Sequence, residues 1–377
     1  MPAPMAIDTV LVKSASRCNL NCSYCYVYHM ADDGWRSQPK RLSLESIERI
    51  IEGLGALADA QEEPFSVVLH GGEPLLLGIE LTTRLIAGLR ERLSDDHGLH
   101  IQTNGVLLNA AFLDLFDSHD VGVSVSFDGP AAVHDANRLD RRGMGSHGRV
   151  VAAIERIRAH LGGARMLTGV LAVVDPTSDP IAVYESLKAT GAPGFDLLYR
   201  DGNHDLLPPG KVGFETIEYG SWMCRMLDHY LADPAPPRIR LLDDLMRLVM
   251  GRPANKEGVG ISDFGIIVID TDGTVTKNDT LKVAHQGADR FSGPQSLHER
   301  SLLDIVRGWE FEEYLALQRP AAEICARCPE VTVCGGGMPA HRWSSANAYR
   351  NPTIYCEDQK HLIAHIRNRI AAVQAAA

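Results

Sequence analysis

The chain lacks an excess of positive charge, a long apolar run, and a fourth cysteine close to its first three. Lys and Arg number 37 against 48 Asp and Glu, a formal net charge of −11. Nucleic-acid binding draws on basic surface to meet phosphates, so this balance argues against it as a general activity. A local basic patch remains compatible, and a basic peptide would suit an acidic protein. No apolar run approaches the roughly 20 residues needed for a membrane-spanning helix. The opening MPAPMAIDTV has neither the charged start nor the apolar stretch of a secretory signal. The expected location is therefore cytoplasmic, where cysteines serve as metal ligands or free thiols rather than in disulfides. No repeat is found beyond a strand–helix alternation, and no segment is of low complexity. Hydrophobic residues at 45% and charged ones at 23% are ordinary for a globular protein, and 377 residues suffice for one large domain and a smaller one.

Three of the eight cysteines stand together in CNLNCSYC, at Cys18, Cys22 and Cys25, and the next is Cys224. A structural zinc ion normally closes its shell with four protein ligands, and a structural iron–sulfur cluster uses four thiolates. Three thiolates alone leave a metal position open to a small molecule. A degraded zinc knuckle is the plainer reading of the same residues.

From Ile7 to about Arg200, strand-like runs (TVLVKSA, FSVVLH, LHIQTN, VGVSVSF, MLTGVLAVV, GFDLLYR) alternate with amphipathic stretches such as LESIERIIEGLGALADA and ELTTRLIAGLRERL. Near-continuous Val/Ile/Leu strands between amphipathic helices predict a parallel sheet. Six repeats fall short of the eight of a closed barrel, which predicts a partial, TIM-like (β/α)6 barrel of the α/β class. Several strands end in small polar residues and glycine: GGEP at 71–74, TNG at 103–105 and SFDGP at 126–130. These lie at the strand C-termini, where barrel chemistry is usually built. Singly, each is only a turn after a strand. The expected divisions are a barrel over 7–205, a helical bridge over 206–260 and a C-terminal domain over 261–377. The last contains a hairpin in FGIIVIDTDGTVT and one helix in LLDIVRGWEFEEYLALQ. That domain carries Cys325, Cys328, Cys334 and Cys356, four thiolates able to close a zinc or iron–sulfur site. Cys224 reads as a buried free thiol.

CxxxCxxC with Tyr24 before its last cysteine resembles the signature of the radical S-adenosylmethionine (SAM) enzymes, and the later motifs follow in that family's order. The resemblance implies a 4Fe–4S cluster on Cys18, Cys22 and Cys25 whose fourth iron is chelated by the methionine end of SAM. It implies reductive cleavage to a 5′-deoxyadenosyl radical, with a flavodoxin or ferredoxin as electron donor. By the same resemblance Tyr24, Gly71, Gly72, Glu73, Thr103, Asn104, Ser126 and Asp128 surround the cofactor, and Arg138 meets its carboxylate, a match for the planar guanidinium. The second cysteine group, with CGGG and NPTIYC, resembles the SPASM-type extension of peptide-modifying radical enzymes, which holds auxiliary 4Fe–4S clusters. Met338 stands where a further cysteine would fall, and 264–283 has none, so one auxiliary cluster is expected. The whole is similar to maturases of ribosomally made precursor peptides, above all the cyclophane-forming group that joins an aromatic ring to a side-chain carbon. Sulfatase maturation, which oxidises Cys or Ser to formylglycine, is the nearest rival, and a zinc-stabilised binding module is the rival from outside the enzymes. Asp279 is the candidate base, with a solvated turn aspartate as the plain alternative. Tyr199, Arg200, Asp201 and His204 are candidates to line a peptide groove, and Tyr28, His29 and Trp35 to cover the SAM site. No leader-binding domain is recognisable before Ile7.

Overall fold

A computed structural model describes residues 7–293 and 295–376. In chain order the first part reads β1 (Thr9–Ala15), α1 (Leu44–Ala60), β2 (Ser66–Gly71), α2 (Ile79–Arg92), β3 (Leu99–Thr103), α3 (Ala110–Ser118), β4 (Val121–Ser126), α4 (His147–Ala159), β5 (Leu167–Val173), α5 (Pro180–Ala189) and β6 (Gly194–Leu198). All six strands and five helices fall where alternation placed them. Helix α1 shows why. Ser43 caps it by accepting the Ser46 amide at 3.0 Å, and Ile47, Ile50, Ile51, Leu54 and Leu57 turn one stripe inward. Each such side chain fully buried stabilises by about 1.5–3 kcal/mol before entropy is charged against it.

The chain divides into two compact units. The first comprises Met1–Ser126, His134–Gly169 and Phe264–Tyr314. Its parallel strands run in the order β4-β3-β2-β1 and continue into β8 (Ile266–Ile269), which lies parallel to β1 with Thr9 opposite Ile266. A tight turn at Gly273 then leads into the antiparallel β9 (Val275–Thr276). The expected hairpin is therefore present, and it extends the sheet of the N-terminal strands. Val10, Val12, Val67, Val123 and Val125 are wholly buried and form the packed face of these strands.

The second unit comprises Phe127–Val133, Val170–Asp263 and Leu315–Ala377. There β5 pairs in parallel with β6, and β6 with the two-residue β7 (Arg238–Ile239). The helices α6 (Glu218–Ala232) and α7 (Arg240–Val249) follow the sequence pattern, and a long helix opens at Cys356 (Cys356–Ala376). The stretch read as one helix after Leu302 is two, Leu302–Val306 and Trp309–Gln318, broken at Gly308. Of HDANR, His134 to Asn137 lie in a short helix, Ala131–Asn137, that period alone did not reveal, and Arg138 follows its end. Among the described residues no helix is long and apolar enough to cross a membrane.

Candidate active site

The three-cysteine loop follows β1 and is tied down by backbone bonds. Asn21 and Ser23 donate their amides to the carbonyls of Leu139 (2.7 Å) and Asn137 (2.9 Å), and the Arg141 guanidinium reaches the Cys18 carbonyl at 2.8 Å. The Cys25 amide donates a hydrogen bond to the Cys22 carbonyl at 3.1 Å, and in the following turn, Tyr26–His29, the Tyr28 and His29 amides donate to the Cys25 carbonyl. Burial pushes the Cys18 thiol up to about 12 and the Cys25 thiol to about 11. Cys18 and Cys25 are therefore neutral thiols until a metal replaces their protons.

The segment GGEP closes over the end of β1. Gly72 and Glu73 donate their amides to the carbonyls of Ala15 (2.8 Å) and Arg17 (3.0 Å). Gly71 holds φ +144°, and a methyl group there would strike the Ala15 carbonyl. One at Gly72 would strike the Tyr28 hydroxyl and the Arg17 carbonyl. The glycines thus serve a close approach by the chain's own backbone. Gly72→Ala is expected to cost about 1–3 kcal/mol by overpacking, read as a lower denaturation midpoint, and to reduce iron uptake by the neighbouring loop.

Glu73 is completely buried and binds three donors: the Leu75 amide (3.1 Å), the Thr103 hydroxyl (2.7 Å) and the Asn104 amide (2.9 Å). Burial raises its carboxyl despite these donors and the Arg138 charge. Asn104 in turn donates to the Asn19 side chain at 2.8 Å and approaches the Cys18 sulfur at 3.7 Å. GGEP, TNG and the cysteine loop are thereby one hydrogen-bonded assembly. Arg138 donates to the Tyr24 hydroxyl at 2.7 Å, fastening HDANR to the same loop. Ser126 accepts from Gln102 at 2.9 Å. Asp128 belongs to the second unit, where it accepts the Val173 amide at 3.1 Å.

Asp279 is 1% exposed, at the start of the turn after β9. Its carboxylate pairs with the Lys13 ammonium, itself 4% exposed on β1, and accepts the Tyr26 hydroxyl at 2.8 Å. Burial alone would push this carboxyl up; the Lys13 charge, then the His70 ring and Lys282, outweigh it and hold it at about 2. It is no solvated turn aspartate. Sequence reading missed Lys13, Tyr26 and His70. The available signal was a lysine inside the otherwise apolar strand TVLVKSA.

In the second unit Cys325, Cys328, Cys334 and Cys356 line one cavity together with Gly336, Thr353 and Lys360. Gly335, Gly336 and Gly337 all take positive φ (66°, 80° and 68°), and a methyl group on Gly335 would strike the Gly260 carbonyl. CGGG is thus a geometric requirement of the loop. Met338 packs against Gly258. Burial raises the Cys334 thiol to about 12. Cys224, 7% exposed on α6, is buried as expected, its thiol also raised to about 12 by burial.

Six of the groove and lid candidates have partners within the chain. Tyr199 stacks on Tyr355 with centroids 4.6 Å apart. Arg200 pairs with Asp175 at 2.9 Å, Asp201 with His341 at 3.2 Å, and His204 meets the Pro352 carbonyl at 2.7 Å. Tyr28 and Trp35 pack edge to face at 4.9 Å, with the Arg17 guanidinium over Trp35.

Both thiol sets offer the donors that an iron–sulfur cluster takes, one thiolate per iron. Zinc with bonds of about 2.3 Å gathers its sulfurs to within about 4 Å of one another. Among the described residues no three Cys, His, Asp or Glu side chains converge in that way. A cubane, bound through one thiolate per iron, holds its ligands further apart.

Residues 12–179 match the Radical SAM superfamily. The chain is 23% identical over 375 residues to the cysteine-type anaerobic sulfatase-maturating enzyme of Clostridium perfringens (strain 13 / Type A), covering 97% of this chain and 98% of that one. The solved structure of native anSMEcpe with bound AdoMet superposes with a TM-score of 0.80 at 20% identity, over 97% of this chain and 98% of the other. Streptococcus suis SuiB bound to S-adenosylmethionine gives a TM-score of 0.59 at 13% identity, over 89% and 71%. The fold is therefore the α/β radical SAM fold, C-terminal region included, as the sequence led us to expect. Both of these solved structures hold S-adenosylmethionine.

Proposed function

We propose that this chain is a radical SAM peptide maturase that oxidises a side chain at its β-carbon by loss of a hydrogen atom, then an electron and a proton. Cys18, Cys22 and Cys25 would hold the SAM-binding cluster, and Cys325, Cys328, Cys334 and Cys356 one auxiliary cluster. When bound, the first cluster and S-adenosylmethionine supply the 5′-deoxyadenosyl radical, and the second offers an electron acceptor. The observation that carries the reading is the buried carboxylate of Asp279, held by Tyr26, whose chain neighbour Cys25 is one of the three thiols.

Each residue then has a task. Glu73, Thr103 and Asn104 fix the strand ends beside the cysteine loop, and Arg138 offers a guanidinium to the SAM carboxylate. Gly71 and Gly72 keep that rim thin. Ser126 and Asp128 complete the set drawn from the family resemblance. A thiol or hydroxyl beside a carbon radical is far more acidic than its parent, so a carboxylate ionised at every working pH, as Asp279 is, suffices to take the proton.

Near-full-length likeness to sulfatase-maturating enzymes favours oxidation of Cys or Ser to formylglycine. Of the solved relatives, anSMEcpe has been crystallised with AdoMet and a Cp18Cys peptide, and SuiB with its precursor peptide SuiA, which supports a peptide as partner. Crosslinking of an aromatic ring to a side-chain carbon is the second reading, favoured by the cysteine count: four C-terminal thiols suffice for one auxiliary cluster only.

The test is to incubate reduced, reconstituted protein with S-adenosylmethionine and peptides carrying Cys, Ser and aromatic residues. A hydrazide-reactive aldehyde supports formylglycine formation. Loss of two hydrogens without an aldehyde supports the crosslink. SAM cleavage that leaves every peptide unchanged counts against both.

A further inference from the structure

Asp279 poses a difficulty for the base proposed above: at 1% exposure it has no route of its own to water for a proton it accepts. Lys13, at 4%, has none either. The next group along is His70. Lys13 and His70 face each other across the parallel β1–β2 pair, and the Lys13 ammonium lies 3.2 Å from His70 Nδ1. His70, at the end of β2, is only half-buried. A continuous line of side chains thus runs from the enclosed carboxylate to His70, the least enclosed residue of the three, all within the first unit.

We infer that Lys13 and His70 are positioning residues that clear the proton from Asp279, so that the three side chains form a release relay for the oxidation. The inference rests on the peptide-oxidation reading and deepens it. The proton leaves the substrate's heteroatom, or the ring carbon in a crosslink, for the Asp279 carboxylate. Lys13 then gives one proton to His70 Nδ1 while it takes one from Asp279. Lys13 ends as it began, Asp279 is again a carboxylate, and His70 is an imidazolium that loses its proton to water. No electron moves in these steps. Burial first, and the Lys13 charge second, lower the His70 ring to about 4, so it starts neutral and sheds its proton readily at neutral pH. The Lys13 charge beside Asp279 holds its carboxyl low, which favours passing the proton on. The relay demands one tautomer: Nδ1 bare, with the hydrogen on Nε2.

The experiment compares the reconstituted holoenzyme with His70→Gln, whose amide oxygen can still accept from Lys13 but cannot carry a proton. The expected result is unchanged 5′-deoxyadenosine formation, with modified peptide per deoxyadenosine reduced at least about tenfold. A solvent deuterium isotope effect on product should appear, with partial recovery on adding imidazole. A packing role would lower cleavage and product together and ignore imidazole; that pattern, or unchanged coupling, overturns the relay. A second measurement needs no substrate: nitrogen-15 NMR of histidine-labelled holoenzyme, with His70 assigned by its absence in the variant. A bare Nδ1 at neutral pH supports the relay, and a protonated Nδ1 overturns it. If no peptide is modified, the maturase reading falls by itself, and the tautomer still decides the relay.

Discussion

Replacing Cys22 by alanine in anaerobically reconstituted protein will bring 5′-deoxyadenosine formation to background while leaving the chain brown. The reason is that the two thiol sets are independent. Cys22 belongs to the loop of three, and two thiolates cannot retain a cluster that already leaves one iron without a protein ligand. The four C-terminal cysteines share a different cavity and keep their own. Iron should therefore fall from about eight atoms per chain to about four. Cys334→Ala is the mirror image: about four irons again, but with SAM cleavage retained and uncoupled from peptide oxidation. A Cys22→Ala protein that still cleaves SAM would place the reactive cluster elsewhere. A wild type with about twelve irons would mean that groups other than cysteine complete a second auxiliary cluster, removing the argument for crosslinking over formylglycine. A colourless protein holding only zinc would leave the binding-module reading standing.

The parts of this molecule that were legible beforehand are those written in local chemistry. Strand β1 was visible because Val10 and Val12 are buried in a parallel sheet, and α1 because Ser43 starts it and its isoleucines recur at helical spacing. The cysteines were legible because their spacing is itself the chemistry. What stayed hidden depends on pairing between distant segments. Nothing local says that Ile266 will lie beside Thr9, yet that pairing gathers the turn holding Asp279 into the unit of the cysteine loop. Glu73 could be assigned to a cofactor from its motif; that its carboxylate spans to Thr103 and Asn104 is a fact of register between β2 and β3. The residues after β6 misled for the opposite reason. Tyr199 to His204 look like a polar loop in sequence, but Tyr199, Arg200, Asp201 and His204 pack or pair with Tyr355, Asp175, His341 and Pro352, residues remote in the chain.

Asp279→Asn should separate chemistry from stability more cleanly than any other single change. As the carboxylate that takes the substrate proton, it is worth about 10²–10⁴-fold in peptide oxidation, while SAM cleavage, which needs only the cysteine loop and its rim, should persist. The substitution also strands the Lys13 ammonium in a buried site, a loss of about 3–5 kcal/mol, so stability must be measured beside activity. The linkage is definite in sign. The carboxyl is held at about 2 in the folded protein against an ordinary 3.8. Its ionised form therefore stabilises the wild type fully above the ordinary value, and that contribution is lost as pH falls from about 4 towards 2. The Asn variant should be less stable at neutral pH and converge on the wild type in this acid window. Adding Lys13→Met to Asp279→Leu removes both charges, and replacing a buried pair by apolar groups is often neutral or stabilising. Unfolding monitored by circular dichroism should then return towards the wild-type midpoint while peptide oxidation stays lost. Recovery of oxidation in that double variant would show that Asp279 holds the fold together and leaves the proton to another group.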